Sequence, residues 1–260
     1  MDSVQTRLAV AELTAAMTTD FDVPTLLHSV ASHAQRCFEA VSAVVILLDR
    51  RQTPGPGIRI VAEAMRDGAL ADPSLHITGP GMSSARDGAV AMIGDLETEE
   101  GLDSRWPSYR VRARESGLRS VRAFPVTALT VPLGSVVVHA DEPWGSDRPN
   151  DFGQVLADLT AIALSMGRLN GRIAATDETV EAVLHGSTVI ATAIGILAEY
   201  FDLDIDSARA RLLRLARAHQ VTPTAHAAAI VEAQNSSPAD PGTAAALHLP
   251  PDLAPPTHIH

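Results

Sequence analysis

The sequence contains no lysine: all 20 of its basic residues are arginine, set against 31 carboxylates for a formal net charge of −11. That balance excludes a general polyanion binder, whose surfaces are usually basic. A single cysteine, Cys37, excludes an internal disulfide and any cysteine-based zinc cluster. It falls in an apolar helical pattern and is expected to be a buried, inert thiol. Aromatic residues make up only 3% of the chain, so its cores must be built from Val, Leu, Ile and Ala. No run of about 18 apolar residues offers a membrane span. The start, Met1-Asp2-Ser3-Val4, lacks the basic-then-apolar order of a signal peptide. A soluble, cytoplasmic protein is expected, with no membrane partner.

Catalytic patterns are missing as well. The sequence has no G-x-S-x-G, Walker loop, H-E-x-x-H or Cys/His cluster, so an enzyme is not expected. Gly79-Pro80-Gly81-Met82-Ser83-Ser84 resembles a phosphate loop only superficially, lacking a third glycine and a strand-to-helix setting, and reads as a plain loop. The ten histidines are scattered. His28 and His33 are poorly spaced for chelation on one helical face, and His258 and His260 lie near the end of the chain. No metal or cofactor is expected.

What is present is a chain that is 46% apolar with two kinds of periodicity. Helical spacing marks Val4 to Thr18 and Val23 to Phe38, the latter with Pro24 in its first turn. Short β-branched runs at Val41–Leu48, Ile58–Met65, Val90–Ile93, Ser120–Val126 and Leu133–Ala140 read as strands, with a turn at Pro54-Gly55-Pro56-Gly57. Residues 66–89 read as a long surface loop with a short helix, and Trp106 to Ser116 as a helix stopped by Gly117. The order describes an α+β domain, a mostly antiparallel sheet with helices packed on one face. Within it, Arg105, Arg110, Arg112, Arg114, Arg119 and Arg122 form a basic run. The run reads either as an anion or partner site, or as a solvated face balanced by the acidic segment Asp95 to Asp103.

From Val155 the apolar residues Leu159, Ile162, Met166, Leu169 and Ile173 alternate steps of four and three. The series resumes through Val180, Val183, Ile190, Ile194, Leu197 and Phe201. Such a heptad-like repeat suits a coiled-coil connecting helix and a homodimer; the alternative is a terminal helix on the sheet, a break, and a separate bundle. Asp206 is a candidate cap for a helix to Ala218, and Thr222-Pro223 opens another to about Gln234. Three regions follow: an α+β domain (1–169), a helical module (170–235) and a disordered Pro/Ala-rich tail (236–260).

The C-terminal helices resemble the ANTAR domain, an RNA-binding antiterminator module. The likeness rests on Ile190 followed by Ala193-Ile194-Gly195-Ile196-Leu197, then Ala208, Leu212 and Ala216, then Ala227-Ala228-Ala229-Ile230-Val231. The first 165 or so residues look like a GAF domain, a sensing or protein-interaction fold. Here the likeness rests on Arg105-Trp106-Pro107, Glu115 to Val121, Phe124-Pro125-Val126 and Leu133-Gly134-Ser135-Val136. A GAF domain followed by an ANTAR module is an actinobacterial regulator arrangement. The resemblance implies a signal-responsive regulator of transcription antitermination, a small-molecule ligand for the sensor domain, and an RNA stem-loop as partner.

Between Arg172 and Asn235 five arginines face eight carboxylates, a formal −3. Helical spacing nevertheless aligns Arg211, Arg214 and Arg217 in a stripe, the candidate RNA-binding residues. Ser187 stands where the family carries a basic residue, Ile194 where it carries a lysine, and Arg209 where an aromatic is usual. These departures support an alternative, a sensor or scaffold protein whose helical module serves dimerisation or protein contacts.

Overall fold

The structure is a computed structural model that describes residues 3–19, 21–51, 57–69, 72–98, 105–146, 148–169, 172–173, 175–235 and 246–249. The turn expected at Pro54 to Pro56 and part of the acidic segment (99–103) lie outside the described residues. The chain divides into two compact units, Met1–Leu184 and His185–His260.

The first unit is built on β1 (Ser42–Asp49), β2 (Gly57–Met65), β3 (Ala91–Ile93), β4 (Ser120–Ala128) and β5 (Val131–Ala140), in the order β2-β1-β5-β4-β3. Every pairing is antiparallel. β1 is buried from Ser42 to Leu48, and its alternate residues serve two cores. Ala43, Val45 and Leu47 pack on one face of the sheet, while Val44, Ile46 and Leu48 pack on the other. A strand that is apolar on both faces needs cover on both. The expectation of helices on one face is therefore corrected: helices cover both.

On the first face lie α1 (Ser3–Met17), α2 (Val23–Cys37) and α6 (Asn150–Met166). Asp22 caps α2, its carboxylate accepting from the Thr25 amide (3.1 Å) and hydroxyl (2.6 Å). Leu26, Leu27, Val30, Ala31, Ala34 and the thiol of Cys37 are buried along its inner face, as the helical spacing requires. Phe38, Phe124, Phe152 and Trp144 concentrate the scarce aromatics, with Phe38 5.2 Å from Trp144 and 5.4 Å from Phe152 between ring centroids. Arg148 is buried beside them. It donates to the Phe38 carbonyl (3.0 Å) and to Glu142 (3.2 Å), so its charge is paired.

The second face carries α3 (Pro73–His76), α4 (Gly79–Asp87) and α5 (Pro107–Glu115). Residues 66–89, expected as a surface loop with one short helix, contain two helices. Gly79 to Ser84, expected as a plain loop, opens α4 with Gly79, Pro80, Gly81 and Ser84 buried. Small residues let this helix lie directly on the sheet, and hydroxyls stitch it there. Ser84 donates to the Ala123 carbonyl (3.1 Å), and Ser135 to the Gly81 carbonyl (3.0 Å). Gly79 combines φ +59° with a Cβ position 2.5 Å from the Tyr109 ring, so no other residue fits there.

The expected continuous repeat from Val155 to Phe201 is broken. α6 ends at Met166, β6 (Arg168–Leu169) and β7 (Arg172–Ile173) form a small antiparallel ribbon, and α7 (Thr176–Phe201) begins afterwards. Gly167 ends α6, with its Cβ position 2.3 Å from Thr179 Cγ2. Val180, Val183 and Leu184 belong to the core of the first unit, which therefore extends past residue 169.

In the second unit the rest of α7 packs with α8 (Ile205–Ala218) and α9 (Pro223–Asn235). α8 is capped by Asp204, which accepts from the Ser207 amide and hydroxyl (both 2.8 Å), rather than by Asp206. The core is Ile190, Ala193, Ile194, Leu197, Ala208, Leu212, Leu215, Ala227 and Ile230. Ala246 and Leu247 complete it, so at residues 246–249 the expectation of a disordered tail is corrected; residues 236–245 and 250–260 lie outside the described residues. α7 is long and apolar enough to cross a membrane by length and composition, although polar residues interrupt its apolar run. Val180, Val183 and Leu184 enter one core and Ile190, Ala193, Ile194 and Leu197 the other.

Candidate functional site

At one end of the sheet the first unit holds a cavity of about 310 Å³ bounded by the start of β1, the end of β2, α3 and the 116–118 turn. Its charged lining is Arg66, Asp67, Asp72 and Asp141, with Leu75 and His76 among the wall residues. Arg66 and Asp141 form a two-pronged ion pair, which holds the Asp141 carboxyl below its ordinary value. Asp72 is likewise lowered by its hydrogen bonds from Ser74, which make it the cap of α3.

His76, placed in this wall by α3, is only 4% exposed. Its Nε2 lies 2.9 Å from Glu63 Oε1, yet neither ring nitrogen makes an aligned hydrogen bond among the described residues. Buried polar groups are nearly always paired, so an unsatisfied one at a cavity wall is a place for a ligand atom or water. The His76 ring meets His139 edge-on, 5.1 Å between centroids. His139 is fully buried on β5, and its Nδ1 lies 3.1 Å from Ser42 Oγ.

The Ser42–His139 contact has the reach of a nucleophile–base pair. The electrostatics do not suit such a pair, because burial, helped by the neighbouring His76, pushes His139 down to about 3. An imidazole of that kind is a weak proton acceptor at neutral pH.

The basic run in this unit is not one patch. Arg119 pairs with Asp95 through two bonds of 3.0 Å and reaches Glu97 at 3.2 Å, which brings the Asp95 carboxyl down to about 2. Arg114 bonds the Leu96 carbonyl, Arg112 the Ser74 hydroxyl (2.8 Å), Arg110 the Arg105 carbonyl (3.2 Å), and Arg122 lies over the Trp144 ring.

In the second unit six of the seven motif residues face inward. Ile190, Ala193, Leu197, Ala208, Leu212 and Ala216 are buried. Gly195 is exposed, with open space around its Cβ position. Ile194 is 3% exposed and belongs to the core, so that position cannot present a charge outward here. Arg209 is half-buried, and burial lowers its affinity for a proton.

The three candidate RNA-binding residues lie on α8 but are not equivalent. Arg214 and Arg217 are exposed. Arg211 stacks on Phe201, its guanidinium carbon 3.5 Å from the ring centroid, and donates to the Leu247 carbonyl at 3.4 Å. Tyr200 and Phe201 meet edge to face at 4.8 Å, and His219 and His226 stack at 4.8 Å; none of the four was expected as a site residue. Tyr200 and Phe201 are neighbours in the chain, whereas folding brings His219 and His226 together.

The sequence matches no protein-family model and no curated protein. Among solved structures, the chain is similar to the phycoerythrobilin-bound GAF domain of a cyanobacterial phytochrome, at 14% identity and a TM-score of 0.49, covering 61% of this chain and 94% of that one. It is similar to the chromophore-binding domain of an unusual bacteriophytochrome from R. palustris, at 17% identity and a TM-score of 0.46, covering 62% of this chain and 60% of that one. The chromophore-binding domain of Stigmatella aurantiaca bacteriophytochrome gives 12% identity, a TM-score of 0.47, and coverage of 62% and 60%. The chain thus spans about 60% of the length of those two chromophore-binding domains. All three likenesses are distant.

Proposed function

We propose that the chain is a signal-responsive, non-enzymatic regulator of transcription antitermination: a GAF-like sensing unit followed by an ANTAR-like unit that contacts an RNA stem-loop. One observation carries the reading. Six of the seven ANTAR motif residues are buried in the helical unit, while Arg214 and Arg217 stand exposed on α8 with Arg211 at the aromatic edge. Arginine beside an aromatic pair suits unstacked bases and phosphates of an RNA loop. The unsatisfied His76 at the cavity wall supports a small-molecule ligand for the sensing unit. The weak basicity of His139 argues against hydrolytic chemistry at Ser42. A cytoplasmic location accords with this role.

Dimerisation rests on α6, where Val155, Ile162 and Met166 leave an exposed apolar row. A second reading, a scaffold whose helical unit makes protein contacts, is favoured by that row, by Ile194 sitting in the core and by the acidic total. Mobility-shift titration of a labelled stem-loop RNA with an unpaired purine loop decides between them. Salt-dependent binding is expected, with a loss of about tenfold or more when Arg211, Arg214 and Arg217 are changed together to Ala. Binding that ignores salt, or that survives the triple change, sinks the RNA reading.

A further inference from the structure

Residues 246–249 follow a segment outside the described residues, yet they are seated on the helical unit by an unusual set of contacts. Three consecutive backbone carbonyls are each met by a different side chain. His226 Nε2 lies 3.1 Å from the Ala246 oxygen, Arg211 Nη2 donates to the Leu247 oxygen at 3.4 Å, and His219 Nε2 lies 3.1 Å from the His248 oxygen. A carbonyl oxygen only accepts, so both imidazoles carry their proton on Nε2. Leu247, 4% exposed, anchors the segment in the core. The His248 imidazole meets the aromatic pair edge-on, 5.8 Å from Phe201 and 6.4 Å from Tyr200 between centroids.

These contacts use the same chemistry by which proteins hold single-stranded nucleic acid. A row of oxygen acceptors runs past cationic or N–H donors, and a flat heteroaromatic ring is held against aromatic side chains. We infer that residues 246–249 are an intramolecular strap that occupies the RNA-facing edge of the helical unit as a nucleic-acid mimic, its carbonyls standing for phosphate acceptors and His248 for an unstacked base. The inference rests on the RNA reading proposed above and adds its regulation. While the strap is seated, Arg211, Phe201 and Tyr200 are engaged and only Arg214 and Arg217 remain available, so the chain binds RNA below its capacity. Undocking restores the full stripe and the stacking platform.

Two changes in the full chain test this: Leu247→Asp, which removes the apolar anchor, and His248→Ala, which removes only the exposed ring and leaves the core intact. Docking is read without RNA, from the NMR titration of His226 and from amide exchange along α8 and α9. In the seated state burial, then His219, hold His226 below its ordinary 6.5, with the Ala246 carbonyl opposing them. In Leu247→Asp the titration moves up towards 6.5. An unchanged His226 titration in that variant overturns the docked strap. Affinity for the stem-loop RNA is expected to rise about fivefold or more in Leu247→Asp, as the competent fraction increases, and by a smaller factor in His248→Ala. Equal, measurable RNA affinity in the wild type and both variants overturns the masking. No RNA binding by any of the three overturns the RNA reading and the masking with it, while the His226 result still decides whether the strap docks.

Discussion

The apolar repeat that runs from Val155 to Phe201 has two halves with opposite fates. On α7 the repeat residues Val180, Val183, Ile190, Ile194 and Leu197 are all buried within this one chain. On α6 the members Val155, Ile162 and Met166 are 38%, 46% and 47% exposed, and the buried face is instead Phe152, Leu156, Ala157, Thr160, Ala161, Ala163 and Leu164. A periodicity says that residues share a face; it does not say whether the facing surface is this chain or another. The α7 half is core, while the α6 half packs only Leu159 against this chain's core and leaves Val155, Ile162 and Met166 exposed.

That contrast is open to direct attack. The largest effect is expected at Leu197, fully buried in the second unit: Leu197→Ala should cost about 2–5 kcal/mol in chemical denaturation. A loss below about 1 kcal/mol would mean that this half is not core. Next comes the break itself. Gly167→Ala places a methyl against Thr179, and such overpacking costs about 1–3 kcal/mol. If the variant is instead more stable and more helical, the two helices are better joined than separated, and the break is not fixed by packing. The smallest stability effect belongs to Ile162→Glu, within about 0.5 kcal/mol for an exposed site. Its consequence should show in light scattering, as a shift from dimer to monomer at unchanged fold. A large loss of monomer stability there would erase the difference between the halves.

The two histidine pairs repeat the lesson on a smaller scale. His76 and His139 come from α3 and β5, while His219 and His226 come from the end of α8 and from α9. Each pair is brought within 5.1 Å or less by folding. One pair meets beside a cavity, with the His139 ring fully buried; the other sets a buried His226 against a half-buried His219, where both meet backbone carbonyls. Chelation spacing and catalytic motifs were the signals available in the chain, and neither pair carries one.

Where a property depends on a residue and its near neighbours, it was legible. The five strands of the larger sheet, α1, α2 and α5, the burial of Cys37 and the inward face of α8 follow from local periodicity and apolar content. Helix geometry puts Arg211, Arg214 and Arg217 on α8 in the same way, but not the engagement of Arg211 by Phe201 and Leu247. What required the tertiary structure are the relations between distant segments. Helices cover both sheet faces because β1 is apolar on both. Gly79 to Ser84 become a buried helix because Tyr109 and the sheet leave room only for small residues. Leu247 becomes core because the helical unit offers its side chain a site and its carbonyls donors. Local sequence sets which face of an element is apolar, through the 3.6- and 2-residue periods of the backbone. What that face meets depends on three-dimensional packing, where contacts between residues far apart in the chain outweigh local preference.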